Sequence, residues 1–185
     1  LKHYLITDPK YYSNNTTLLR KNLIRAFKNH KVDIACFRDK ESSNIEDLAK
    51  TFVEVCKEYN IKTILINTHI NLAKELNATG VHLNSEQFDS IKEAKEKDLY
   101  TVVSCHSYDD IQKAQNLHAN CVTYSPIFEV ANKPKAKGIN KLKEAVRVFE
   151  DIDIIALGGI VDDSHVEKIT NAKPYGFASI RYFLN

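Results

Sequence analysis

Apolar residues along this chain gather into eight short runs, each closed by a few polar or glycine residues and most followed by a stretch with helical spacing. The runs cover residues 3–7, 33–37, 63–66, 80–83, 100–103, 121–125, 153–157 and 176–180. Run 100–103 reads as continuous rather than alternating, as a strand covered on both faces should. Between runs, Leu18, Leu19, Leu23, Ile24 and Phe27 fall on one side of a first helix, and Leu48, Phe52, Val55 and Cys56 on one side of a second. Shorter helices are predicted over 72–76, 88–97, 111–118, 142–149 and 166–172, and Asn44, Ser107 and Asp163 suit helix starts.

Strands that alternate with helices imply parallel pairing, because each return to a parallel neighbour needs a crossover, and eight such units close into a barrel. The expected fold is a single α/β domain over residues 1–185, a (β/α)8 TIM barrel. It must be compact, since such barrels usually need about 200 residues or more. Only residues 181–185 follow the last run, so the final helix is expected to be short or missing.

Composition narrows function by exclusion. With 27% charged residues and a net charge of +2, the chain lacks the strongly basic face that would point to a nucleic-acid partner. No apolar stretch approaches the roughly 18 residues of a membrane span, and the start, LKHYLITD, lacks the apolar core of a signal peptide. A cytoplasmic protein with no membrane partner is therefore expected. Cys36, Cys56, Cys105 and Cys121 form no CxxC pair and three lie in or beside predicted strands, which reads as buried thiols rather than a disulfide or metal site.

In barrels of this kind chemistry gathers at the carboxyl ends of the strands. Gly158 and Gly159 follow the seventh run and precede a helix, where glycines let main-chain N–H groups approach an anion and a helix amino end adds positive potential. Arg181, just past the eighth run, can clamp the same anion. Arg38 and Lys40 flank Asp39; two cations at a strand end suit an anionic ligand, and a structural ion pair with Asp39 is the alternative. His69 and His106 lie beside strand ends and titrate near neutrality, which fits a proton shuttle as well as a packed or hydrogen-bonding role. His82, inside the fourth run, reads as structural. Residues 128–140 form the longest irregular stretch, either a solvated surface loop or a binding loop that carries Lys133.

The ordered set YLITD (4–8), FRDK (37–40), IN (66–67), GVHL (80–83), SCH (104–106), SPIF (125–128), Lys133, Gly138 and LGGI (157–160) resembles the thiamine phosphate synthase family, which includes the thiazole tautomerases. In the synthase reaction that this resemblance implies, a pyrimidine methyl diphosphate ionises with loss of Mg-bound pyrophosphate, and a thiazole phosphate nitrogen captures the cation. The family pattern places a glutamine where this chain has Cys36, and metal-binding aspartates where it has Thr68 and Gln87, while Asn67 is retained. Neutral Thr and Gln oxygens compensate a hard cation poorly. The resemblance further implies substrate-binding roles for Arg38, Lys40, Asn67, Ser104 and Lys133, and phosphate-binding roles for Gly138, Gly158, Gly159 and Ile180. Val130 and Asn132 replace two loop threonines, and Arg181 replaces a small polar residue.

The tautomerases move a proton and need no pyrophosphate departure. Their histidine position is Pro126 here, so the proton must travel through His69, His106 or Cys36, the last only with a lowered pKa. The preferred expectation is a divergent, tautomerase-like barrel that binds a small phosphorylated heterocycle, with no cofactor and no metal ligands. Mg would enter only under the alternative of a working synthase, and a noncatalytic phosphate-ligand binder or regulatory protein is the third reading. Relatives of this sort often pair, which makes a homodimer compatible with the resemblance.

Overall fold

Each of the eight runs forms a strand in the computed structural model, which describes residues 1–185. The strands are β1 (Lys2–Ile6), β2 (Ile34–Phe37), β3 (Thr63–Asn67), β4 (Gly80–Leu83), β5 (Tyr100–Cys105), β6 (Cys121–Tyr124), β7 (Asp153–Leu157) and β8 (Gly176–Ser179). All pair in parallel with their sequence neighbours, and β8 pairs back onto β1 with Tyr4 opposite Ala178, so the barrel closes. The helices are α1 (Pro9–Tyr12), α2 (Thr16–Asn29), α3 (Ile45–Glu58), α4 (Ile70–Glu75), α5 (Ile91–Glu96), α6 (Tyr108–Asn116), α7 (Gly138–Val148) and α8 (Asp163–Thr170). A 3-10 turn, Tyr182–Leu184, stands where the eighth unit would have its helix. No helix is long and apolar enough to cross a membrane.

Side-chain alternation divides the strands between two cores. Tyr4, Ile6, Ile34, Cys36, Leu65, Val102, Cys121, Ile155 and Ala178 face inward and fill the barrel. Their neighbours, among them Leu5, Ala35, Phe37, Ile64, Ile66, Val81, Val103 and Ala156, face outward and pack under the helices in a cluster of 43 buried residues. Both faces are covered, which is why the runs read as continuous.

Local chemistry moves a few boundaries. Ser107 caps α6 in a capping box with Asp110. The cap of α8 is Asp162, one residue earlier than the sequence suggests: its carboxylate accepts from the His165 N–H at 3.1 Å. Asn44 precedes α3 without a side-chain cap bond. The stretch 88–97 divides into a 3-10 turn, Phe88–Ser90, and α5. Helix α1, too short to show periodicity, starts on the Asp8 cap with Pro9 in its first turn, where a missing N–H costs nothing.

Candidate functional site

Alternation runs up to and past the strand ends: two residues beyond an inward position lies another. Arg38 thus follows Cys36, Asn67 follows Leu65, Ser104 and His106 follow Val102, and Ile180 follows Ala178; all five line a cavity of about 390 Å3 at the carboxyl-terminal mouth. Lys40, His82, Asn84, Ser125, Gly158 and Lys133 also line it. The lining holds three basic side chains, Arg38, Lys40 and Lys133, and no carboxylate. Arg38 is steadied by Asp8, Nη1 to Oδ2 at 2.8 Å, and not by Asp39. Asp39 instead accepts from the Glu41 and Ser42 N–H groups, both at 2.9 Å, and pins the turn after β2.

Beside this mouth lies a cleft of about 150 Å3 lined by Gly158, Gly159, Ile160, Ile180 and Arg181, sharing Val130, Leu157, Gly158 and Ile180 with the larger cavity. Gly158 and Gly159 have φ of 102° and 72°, a left-handed turn that exposes successive amides. The N–H groups of Gly159, Ile160, Ile180 and Arg181 have no acceptor within the protein. Together they leave four free main-chain donors along this cleft. The amino end of α8 contributes less than expected, because the Asp162 carboxylate already occupies it.

Three expected site residues are removed by the geometry. Thr68, at φ 64°, breaks the inward alternation, so His69 turns out of the barrel to the start of α4. It lines a separate, wide hollow of about 860 Å3 between α3 and α4, among Glu46, Asp47 and Glu75. Cys36 is fully buried inside the barrel, and burial pushes its thiol up to about 12, the wrong direction for proton transfer at neutral pH. Gly138 lies outside both cavities, and its N–H donates to the Ile127 carbonyl at 3.0 Å. Helix α7 begins there, so the irregular loop is shorter than the sequence suggests. Its base is stitched to the end of β7 through Ile127 N–H to Leu157 O at 2.9 Å and Phe128 N–H to Gly158 O at 3.0 Å.

His106 remains. Its Nδ1 lies 3.2 Å from both the Ser125 carbonyl oxygen and the Ser125 hydroxyl; in the tautomer that donates to the carbonyl, Nε2 carries the lone pair and is left for a ligand. One group that sequence reasoning set aside also comes forward. His82 points into the barrel, with Nδ1 2.7 Å from the Tyr4 hydroxyl and Nε2 3.0 Å from Ser104 Oγ. Its inward parity, shared with Asn84 two residues on, was the available signal.

A family model described as thiamine monophosphate synthase matches residues 3–183. The chain belongs to that family. A protein of Aquifex aeolicus named putative thiamine-phosphate synthase 2 is 31% identical, over 98% of this chain and 96% of its own length. A thiamine-phosphate synthase of Clostridium acetobutylicum is 27% identical, over 100% of this chain and 87% of its own. In three dimensions, a thiamine phosphate pyrophosphorylase from Pyrococcus furiosus superposes with a TM-score of 0.84 at 22% identity, covering 97% of this chain and 85% of that one, which shows the shared fold.

The magnesium that the family resemblance implies does not fit the side chains present. At the two aspartate positions, Thr68 Oγ1 donates to its neighbour's carbonyl, Asn67 O, at 2.7 Å, and the Gln87 amide is spent on Asn84 N–H (3.1 Å) and Thr68 O (3.2 Å). Both are neutral and already hydrogen-bonded, and no cluster of three or more His, Cys, Asp or Glu side chains occurs elsewhere.

Burial, helped by the Arg38 charge, holds the His82 imidazole down to about 4, so it is neutral in the fold. A base whose folded pKa lies below its unfolded value of about 6.5 adds stability above that pH and loses it as pH falls toward 4. The loss expected across this window is about 3 kcal/mol. Urea melts at pH 7 and pH 4 test it: the acid-side loss should shrink in His82→Asn, and an unchanged loss would contradict the assignment.

Proposed function

We propose that this chain binds a thiazole phosphate in the mouth of its barrel and moves a proton on it, as the tautomerase side of its family does within thiamine biosynthesis. The observation that carries this reading is the charge layout: an amide cradle sized for a phosphate next to a cationic cavity whose two family metal positions hold Thr68 and Gln87. The phosphate sits on the N–H groups of Gly159, Ile160, Ile180 and Arg181, with the Arg181 side chain closing the cleft. The remainder of the ligand extends toward Arg38 and Lys40, which favour a second anionic group there. Proton transfer falls to His106. Nε2 takes a proton from one ligand carbon and returns it to another, and the Nδ1–H bond to the Ser125 carbonyl stabilises the intervening imidazolium.

This scheme uses no cofactor. Calorimetry with a thiazole phosphate is expected to give binding that changes less than about twofold between EDTA and millimolar Mg, since a twofold change is only ~0.4 kcal/mol. No heat at millimolar ligand would remove the proposal. A second reading, a working synthase, is favoured by one observation: Arg38, Lys40, Asn67, Ser104 and Lys133 all face a single cavity, a set able to hold a diphosphate. Growth of a synthase-deficient strain on this gene alone would select that reading over the first.

A further inference from the structure

Beneath the mouth runs a buried polar chain that neither the anion cradle nor His106 requires: Tyr4, His82 and Ser104, contributed by β1, β4 and β5. We propose that Tyr4 and His82 are positioning residues that fix the polarity of Ser104, so that its hydroxyl donates to the ligand and does not accept from it. The specificity consequence rests on the mouth being the ligand site.

The argument starts at the inner end. The Tyr4 side chain is fully buried, so its hydroxyl proton must find an acceptor inside the protein. Its short hydrogen bond runs to His82 Nδ1 at 2.7 Å; the Cys36 thiol is also within hydrogen-bonding reach and the Cys121 thiol lies near, but both sulfurs are weak acceptors beside an imidazole nitrogen. Cys36 directs its own S–H to the Phe37 carbonyl at 3.6 Å. Burial also pushes the phenol well above 10, so it stays protonated and donates.

With Nδ1 accepting, a neutral imidazole carries its proton on Nε2. That N–H faces Ser104 Oγ at 3.0 Å, with Thr123 Oγ1 further off at 3.4 Å. Ser104 Oγ therefore accepts from below, and its own O–H has no acceptor within the protein, which leaves it pointing to the cavity that Ser104 lines. The chain is not a proton wire. Delivering a proton outward through it would leave a buried tyrosinate with no cation beside it, which the interior disfavours. It is a rigid setting: a ligand group over Ser104 must be an acceptor such as a carboxylate, phosphate oxygen or ring nitrogen, and an amine there meets a second donor.

Two measurements test this, the first without any ligand. Nitrogen-15 histidine spectra of the protein at pH 7 should show His82 protonated on Nε2, and Tyr4→Phe, which keeps the ring but removes the donor, should shift the population toward the Nδ1–H form. A wild-type His82 protonated on Nδ1, or on both nitrogens, overturns the proposal even if the variant fails to fold. The second uses a thiazole phosphate by calorimetry. Ser104→Ala should weaken binding about tenfold, one charge-assisted hydrogen bond, and Tyr4→Phe about threefold at unchanged Tm. The double variant should lose no more than Ser104→Ala alone, whereas additive losses would make Tyr4 a purely structural residue. If wild-type protein binds no thiazole phosphate, the proposed function fails, and the spectra still decide the polarity of Ser104.

Discussion

Gly158→Ala is expected to abolish binding of phosphorylated ligands at millimolar concentration and to destabilise the barrel by about 3 kcal/mol or more, roughly 6–12 °C in Tm. A Cβ at this position would stand 2.7 Å from Pro126 Cα and 2.8 Å from Pro126 Cβ, and φ of 102° is foreign to any L side chain. Pro126 cannot retreat. Its carbonyl accepts from Lys137 N–H at 2.9 Å, and the next residue is bonded to Leu157 O at 2.9 Å. The turn itself must move, and it carries the free Gly159 and Ile160 amides to which the proposal assigns the phosphate. Gly138→Ala is the control. An added Cβ there meets nothing within 4 Å, so the cost is the positive φ alone, about 1 kcal/mol. Its N–H is spent on Ile127, so ligand affinity should stay within about twofold, ~0.4 kcal/mol. Equal loss of affinity in both variants would show that the cradle has been placed on the wrong amides.

The fold was legible because period and parity are both visible in a string of letters. Eight runs of about five residues separated by helical spacing admit few arrangements, and the closing β8–β1 pair follows from their number. Much of the mouth's lining follows too, since counting in twos from Cys36, Leu65, Val102 and Ala178 reaches Arg38, Asn67, Ser104, His106 and Ile180. What fails is instructive. His69 is two residues past an inward position as well, but the left-handed Thr68 intervenes, and a positive φ at a non-glycine residue leaves no mark in composition. Gly138 entered with Gly158 and Gly159 through the family resemblance, and all three have positive φ; only tertiary hydrogen bonding separates a spent amide from a free one. Cys36 shows the third limit. Its distance from the mouth is set by how deep β2 runs inside the barrel, which depends on register with β1 and β3.

His106→Asn is expected to lower kcat for the proposed isomerisation by about 100-fold to 10,000-fold while moving KM by less than about fivefold. Asparagine separates the two functions of the imidazole. Its side-chain amide can still donate to the Ser125 carbonyl, which the Nδ1 of His106 does at 3.2 Å, so the loop geometry is kept. It offers no basic lone pair in place of Nε2, so a step that needs a proton taken from carbon loses its acceptor. Wash-in of solvent deuterium into a thiazole phosphate carboxylate, followed by mass spectrometry, reads the proton step directly and should fall with kcat. His69→Asn and Cys36→Ala sharpen the test, because the first side chain lies in a different hollow and the second is sealed inside the barrel. Both should exchange deuterium at wild-type rate once folded. Retained exchange in His106→Asn would show that the proton moves through another group, and His106 would have to be given up as the base.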